Sequence, residues 1–347
     1  MAGDLRFAIL GCGGIGGLHA SVLDSVDGAR LVAVADADPA RARALAERSG
    51  TRVLGVDEAL SAADVDAVCI CAPSGLHAEL GIRAAAAGKH VLVEKPIDVS
   101  LEAADRLIEA ARRSGVQLGV VSQHRFDDAS VALKRALDDG RLGTPYFAAA
   151  VVRWWREQDY YAQTAWRGTL RLDGGALLNQ GVHHVDLLLW LLGPATRVYA
   201  RHATAAHRIE AEDLALATID FASGALATIE VTTAAYPGFA ERLSLTGSNG
   251  TVAIEGTDIA VWGLRDGDGG PPAGNGAGAP VAASDPTAIG NLSHIRQVTD
   301  FVAAVRDGRA PAVTGEDGRR ALELVLAARE SNLTGRPVDI AVPVAAR

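Results

Sequence analysis

The chain of 347 residues carries 42 acidic against 33 basic side chains, for a net charge of −9, and 49% of it is hydrophobic. That length accommodates two domains with a core each, and the charge argues against general binding to nucleic acid or to an anionic membrane surface. No apolar run reaches the roughly 18 residues of a membrane-crossing helix, and the opening residues MAGDLR lack the regions of a signal peptide, so a cytoplasmic protein with no membrane partner is expected.

Residues 7–17 read FAILGCGGIGG, an apolar run that ends in Gly11-x-Gly13-x-x-Gly16 and passes into a helix-like pattern. A strand, a tight glycine turn and a helix N-terminus make a phosphate-binding corner. Gly11 permits the sharp turn, Gly13 lets the backbone approach a pyrophosphate, and Gly16 lets helix pack on strand. The helix's first N–H groups and its dipole then face the anion. Residues 31–35 (LVAVA) form a second apolar strand, with Asp36 at its end. There a carboxylate accepts hydrogen bonds from an adenosine ribose and repels a 2′-phosphate, which favours NAD over NADP. Asp36 could equally cap the helix that starts near Pro39. The cysteines, Cys12, Cys69 and Cys71, are odd in number and lack zinc spacing, so buried free thiols and no metal site are expected.

Strand-like and helix-like segments alternate to about residue 120: strands at 65–72, 90–93 and 116–121, helices at 76–87 and 101–114. Such alternation gives a doubly wound parallel sheet, whose ligands bind beyond the C-terminal strand ends. Three loops therefore matter: Ala72-Pro73-Ser74 with His77, Glu94-Lys95-Pro96, and Ser122–Arg125 with Gln123. Pro96 makes an extended Lys95 and a candidate cis bond. A Lys at a strand end can polarise a substrate hydroxyl and stabilise the alkoxide that forms as hydride leaves.

The second half reads differently. Strand-like stretches at 145–153, 198–201, 214–221, 224–233 and 242–247 follow one another with short connections, which gives an antiparallel sheet and an α+β domain. Residues 174–192 supply a helix to cover one face. Residues 266–286, rich in Gly, Pro and Ala, read as a mobile surface loop, and an amphipathic helix resumes at 291–306. The expected boundaries are 1–124 for the dinucleotide-binding domain and 125–347 for the substrate and oligomerisation domain, with the C-terminal helix able to pack back on the first.

The motifs GCGGIG, Asp36, APSGLH, VLVEKP and SQHRF, in this order and spacing, resemble the Gfo/Idh/MocA oxidoreductases. The likeness continues through GGALLNQGVHHVD at 174–186 and into 310–335, covering nearly the whole chain. It implies an N-terminal Rossmann fold, a C-terminal domain with an open, mostly antiparallel sheet, a homodimer or homotetramer paired through that sheet, and a dehydrogenase of a sugar, cyclitol or sugar derivative. The cofactor set it implies is Gly11, Cys12, Gly13, Gly14, Ile15, Gly16, Asp36, Ala72, Pro73, Ser74, His77, Glu94, Lys95, Pro96, Gln123, Trp166 and Arg167. Two other activities occur among such relatives, NAD-retaining glycosidases and non-catalytic regulators.

Asn179 and His183 lie four residues apart, on one face of a helix, and Gly181 between them is a place where it can kink. His183 suits a general acid/base, with Lys95 on the same oxygen and Asn179 positioning substrate or His183. The family commonly has Asp where this chain has Asn179; Asp186 is then the carboxylate placed to assist His183, and His184 is the rival base, pointing about 100° away. Trp154, Trp155, Arg156, Tyr160, Tyr161, Trp166 and Arg167 crowd the preceding segment. Aromatic faces stack on sugars and arginines fork to hydroxyls or carboxylates, so Arg125, Trp154, Tyr161, His184, Asn179, His183 and Lys95 make the expected substrate set. Trp154 and Trp155 alternate across a strand, one toward the core.

Overall fold

The computed structural model describes residues 3–265 and 291–342, so the surface loop expected at 266–286 lies outside the described residues. The chain forms two compact units: residues 3–123 with 291–319, and residues 124–265 with 320–342.

The first unit alternates β1 (Leu5–Leu10), α1 (Gly14–Asp24), β2 (Ala29–Ala35), α2 (Pro39–Ser49), β3 (Arg52–Val53), α3 (Val56–Ser61), β4 (Ala67–Ile70), α4 (His77–Ala86), β5 (His90–Val93), α5 (Leu101–Ser114) and β6 (Leu118–Val120). The strands pair in parallel in the order β3-β2-β1-β4-β5-β6, so the order reverses beside β1, where such sheets bind ligands. Local chemistry sets the ends of the helices. Ser100 caps α5 through Ala103 N, and Gly50 and Gly115 close α2 and α5 in the left-handed conformation. The helix Leu292–Asp307 belongs to this unit: Val298, Phe301 and Val302 enter the core with Phe7, Ile9, Leu92 and Val121. Gly119 is needed there, because a Cβ on it would lie 2.9 Å from the Phe301 ring.

The second unit contains α6 (Asp128–Asp138), β7 (Pro145–Arg153), α7 (Gln158–Ala162), α8 (Val182–Leu192), β8 (Ala195–Ala203), β9 (Leu214–Phe221), β10 (Leu226–Thr232), β11 (Arg242–Gly247), β12 (Gly250–Glu255), β13 (Asp258–Leu264) and β14 (Val338–Asp339). Its sheet runs β13-β12-β11-β7-β10-β9-β8-β14. Pairing is antiparallel except between β7 and β10, which run parallel. Strand alternation splits the residues cleanly. Ala148, Ala150 and Val152 of β7 and Ala227, Ile229 and Val231 of β10 are buried, on strands that α8 packs against. Phe147, Tyr199, Leu216 and Leu226 are exposed, and Leu226 lies opposite Phe147 in register.

The helix expected at 174–192 runs without a break from 175 to 192, widened by a five-residue π-turn at Leu177–Gly181 that leads into α8. The wide turn keeps Leu177, Leu178 and Gly181 buried while Asn179 stays half exposed. Gly181 serves close packing, since a Cβ there would approach Val231 Cγ2 to 2.6 Å.

Candidate active site

At the end of β1 the glycines divide their work as the motif predicts. Gly11 has φ +105°, and a Cβ on it would press to 2.5 Å on the Cys71 carbonyl. A Cβ on Gly16 would strike the Gly11 carbonyl oxygen. At Gly13 and Gly14, by contrast, a Cβ would meet nothing within 4 Å. The protein's own packing does not demand glycine at those two positions. Room at the N-terminus of α1, whose cap Gly13 makes no side-chain hydrogen bond, is what a pyrophosphate needs. The residues present therefore fit a dinucleotide.

Asp36 accepts from Cys12 N at 2.6 Å and from Asp38 N at 2.7 Å, one bond to each oxygen. It ties the end of β2 to the glycine turn. The cap of α2 is Asp38, which accepts from Ala40 N at 2.9 Å, so the alternative capping role falls to the neighbour. Arg41 pairs with Asp38 at 3.5 Å. Burial, then the Asp36 carboxylate, push the Cys12 thiol up to about 12, and all three cysteines are buried and free.

Beyond β4 and β5 the loops are locked to each other. His77 is 1% exposed, with Nδ1 at 2.7 Å from the Pro96 carbonyl and Nε2 at 2.8 Å from the Ala72 carbonyl. It holds two expected cofactor loops together, and burial pushes its pKa down. The Lys95–Pro96 bond is cis. Glu94, 5% exposed, accepts from Lys95 N at 3.1 Å and meets His19 Nε2 at 2.7 Å. Burial opposes charge on both partners; for His19 a hydrogen bond with Cys69 and then the Glu94 contact outweigh it, and for Glu94 the His19 contact does. Glu94 is lowered to about 2 and His19 raised to about 10. This ion pair sits directly behind the Lys95 backbone. At the end of β6, the buried Gln123 Oε1 has no hydrogen-bond partner among the described residues.

In the second unit, His183 is 7% exposed, with the His124 ring edge-on at 5.0 Å. His124 Nδ1 in turn meets Asp127 Oδ2 at 2.6 Å. Asp186, expected behind His183, instead receives the Arg125 fork at 2.7 and 2.6 Å, and both residues are buried. Arg125 is thereby a bidentate structural partner rather than an open substrate clamp. His184 is buried near Glu241 and Asp127, beside a cavity of about 10 Å³ also lined by Ser130 and Leu187. Burial first, and His124 against the opposing pull of Glu241, push it down to about 4. A neutral, enclosed His184 is a poor rival to His183.

The aromatic segment splits. Trp154 is 9% exposed, with Nε1 3.4 Å from Glu241, and Tyr161 is 8% exposed, its hydroxyl 2.7 Å from Thr233 Oγ1. Both build the interior; burial raises the Tyr161 pKa. Trp155 is half-buried, bonded to Glu157 at 2.9 Å, which fulfils the alternation expected of the tryptophan pair. Arg167 lies over the Tyr160 ring at 4.0 Å and over Trp166 at 5.5 Å, and donates to Gln163 Oε1 at 2.9 Å. Arg156 flanks the same Tyr160 ring at 5.5 Å.

Sequence reasoning passed over His19, Asp127 and Asp173. Asp173 accepts from Gly168 N at 2.6 Å and from Asn179 Nδ2; its position just before Gly174-Gly175 was the available signal. Among the described residues no cluster of His, Cys, Asp or Glu is arranged to hold a metal ion.

Residues 5–122 match the oxidoreductase family with an NAD-binding Rossmann fold, and residues 130–253 match the GFO/IDH/MocA C-terminal domain. The chain is 33% identical over 344 residues to the inositol 2-dehydrogenase of Rhizobium meliloti, covering 97% of this chain and 99% of that protein. It is 30% identical over 354 residues to the scyllo-inositol 2-dehydrogenase (NAD(+)) of Bacillus subtilis, covering 99% and 98%. Among solved structures it resembles the WlbA dehydrogenase of Bordetella pertussis in complex with NADH and UDP-GlcNAcA. There the TM-score is 0.86 at 32% identity, with 98% and 99% of the chains covered. The chain thus belongs to the Gfo/Idh/MocA oxidoreductase family, with its NAD-binding Rossmann domain and its characteristic C-terminal domain.

Proposed function

We propose that this protein is an NAD-preferring dehydrogenase that moves a hydride between the nicotinamide and a secondary hydroxyl of a sugar, cyclitol or sugar derivative. The observation that carries the reading is Lys95, an ammonium at the C-terminal edge of the same sheet whose glycine corner has room for a pyrophosphate. Relatives named for inositols, and one bound to NADH and UDP-GlcNAcA, support the substrate class.

Gly11, Gly13, Gly14 and Gly16 would hold the pyrophosphate, Asp36 the adenosine ribose, and Gln123 an amide. When bound, the dinucleotide supplies the hydride acceptor. Lys95 donates a hydrogen bond to the reacting oxygen and stabilises its negative charge as the C–H bond breaks. His183 takes the hydroxyl proton. Asp127, through the His124 ring packed on His183, places a negative charge where it favours the cation that forms. Asp36 has no neighbour at Ala37 to compensate a 2′-phosphate, which supports NAD as the preferred form.

The protein is proposed to act in the cytoplasm, without nucleic-acid or membrane partners, and to pair with a second copy through the exposed sheet face that carries Phe147, Tyr199, Leu216 and Leu226.

The test is production of reduced nicotinamide from inositols, aldoses, uronic acids and nucleotide-linked sugars, with NAD and NADP in parallel. Turnover with NAD on one of these classes is the expected result. Silence on every polyol despite tight NAD binding contradicts the reading and favours a glycosidase or a sensor; NADP bound as tightly as NAD contradicts the role given to Asp36.

A further inference from the structure

His77 is the first residue of α4 and is 1% exposed. Each of its ring nitrogens faces a backbone carbonyl, Nδ1 that of Pro96 at 2.7 Å and Nε2 that of Ala72 at 2.8 Å. A carbonyl only accepts hydrogen bonds, and a neutral imidazole carries a single N–H. Both bonds therefore form together only when the ring is an imidazolium. In the neutral ring one nitrogen turns a lone pair toward a carbonyl oxygen, and a buried acceptor is left without its donor.

The loops joined in this way are two of those expected to meet the dinucleotide, one carrying Ala72, Pro73 and Ser74, the other Lys95 and Pro96. The Pro96 side has a second tie to α4. Asp98 accepts from Ala78 N at 3.1 Å, and its other oxygen accepts from Val99 N and Ser100 N at 2.7 and 3.0 Å. With a single proton left, the shorter and better supported Nδ1–H bond to Pro96 is the one that survives, and the Ala72 carbonyl is let go. The Ala72 peptide lies against the glycine corner, since a Cβ on Gly11 would come within 2.8 Å of Ala72 N. A shift of Ala72 is thus passed to the turn that shapes the anion site.

Burial pushes the His77 pKa below its ordinary 6.5, against the pull of the Pro96 and Ala72 carbonyls and then of Glu94 and Asp98. Glu94, at the end of β5, is itself paired with His19 of α1. On α4, Glu79 is exposed and Arg83 pairs with Asp57, and α5, packed on α4, keeps Glu102, Asp105 and Arg106 exposed.

We propose that His77 is a proton-operated clamp: only as an imidazolium does it join the end of β4 to the Lys95–Pro96 loop, and NAD, which needs the joined form, takes up a proton at His77 as it binds. The inference rests on the dinucleotide reading above and adds a pH dependence to that same site. By reciprocity, NAD raises the pKa of His77. At a pH between the values of the free and the bound protein, affinity weakens as pH rises, by up to about tenfold per unit. Below the free value the ring is already charged, and affinity is flat.

The test follows NAD binding by calorimetry between about pH 5 and about pH 7.5, in buffers of different ionisation heat. The wild type is expected to take up part of a proton and to lose about 3- to 10-fold in affinity across the range. His77→Gln, whose side-chain amide does not titrate, should bind with no uptake at this site and a flatter profile. No uptake by the wild type, or the same uptake in His77→Gln, overturns the proposal.

A readout independent of that variant is the pair of ¹⁵N ring signals of His77 in the wild type, selectively labelled at histidine. Both nitrogens are expected to carry protons at the acid end, and Nδ1 alone at the alkaline end, with NAD moving the change to higher pH. A ring that stays neutral throughout, or keeps its proton on Nε2, overturns the clamp. Should NAD not bind at all, the dinucleotide reading fails, and the ring signals of the free protein alone decide whether the clamp exists.

Discussion

Two buried histidines, one in each unit, meet opposite fates. His19 in the first unit is 1% exposed and is raised to about 10, because Cys69 and then Glu94, which touches it at 2.7 Å, together outweigh burial. His184 in the second is 5% exposed and is pushed down to about 4, its nearest charges being too distant or too balanced to offset burial. Burial alone would lower both. The comparison shows that direct hydrogen-bond partners, Cys69 and Glu94 on His19, decide the sign against burial, and that the units hold their polar groups differently. The first backs the Lys95 backbone with a charge pair; the second holds its polar groups in mutually satisfied pairs, the Arg125–Asp186 fork, the Asp173–Asn179 bond and the His124–Asp127 pair beside His183.

The largest effect that breaks this contrast is His19→Ala. It leaves Glu94 charged in the interior, and the expected loss is about 3–5 kcal/mol of stability, seen as a lower urea midpoint for the first unit. An unchanged midpoint would mean that the pair contributes nothing. Phe at the same position should be no better, because Glu94 would still lack its cation.

The pH dependence sharpens the contrast. For His184 the folded pKa lies below the unfolded value. As pH falls from about 6.5 toward about 4, the unfolded chain takes up a proton that the folded chain refuses, and stability declines. Glu94, lowered from 4.5 to about 2, contributes stability that is present above about 4.5 and is lost only as pH falls toward about 2. His19, raised from 6.5 to about 10, contributes stability below about 6.5 that is lost as pH climbs through about 10. His184→Asn should therefore flatten the upper acid limb of stability and leave the alkaline limb untouched, as urea titrations across pH would record. Loss of the alkaline limb instead would reverse the assignment.

The smallest effect concerns the exposed sheet face of the second unit. Leu226 is 55% exposed, so Leu226→Arg should change monomer stability by no more than about 0.5 kcal/mol while abolishing the proposed dimer, as sedimentation of the variant beside the wild type would record. A dimer that survives it is built on another surface.

The first unit was the more legible. Its site residues sit where short buried strands end, so finding a strand such as 90–93 also located Lys95. Gly11 and Gly16 announced backbone contacts that no other residue permits. The helix Leu292–Asp307 was legible as a helix from its periodicity, but its place in the first unit was not. Phe301 packs against Phe7 and Gly119, and nothing local to residues 292–307 states that distant partnership.

The second unit was legible as strands and a covering helix but not as a site. The four-residue spacing of Asn179 and His183 assumed an α-helix, whereas the π-turn at Leu177–Gly181 changes the phase. Arg125 and Asp186 each looked functional alone because their pairing spans 61 residues. Trp154 and Tyr161 looked like a sugar platform because aromatic side chains serve cores and ligands alike, and only burial separates the two. Asp173 carried no motif of its own.

The most direct measurement is the turnover of Lys95→Ala beside the wild type on a substrate found by the NAD screen, together with the dissociation constant for NAD. The account predicts an NAD affinity within a few-fold of wild type and a kcat lower by about 10²- to 10⁴-fold. A Lys95→Ala enzyme that turns over at the wild-type rate would contradict it.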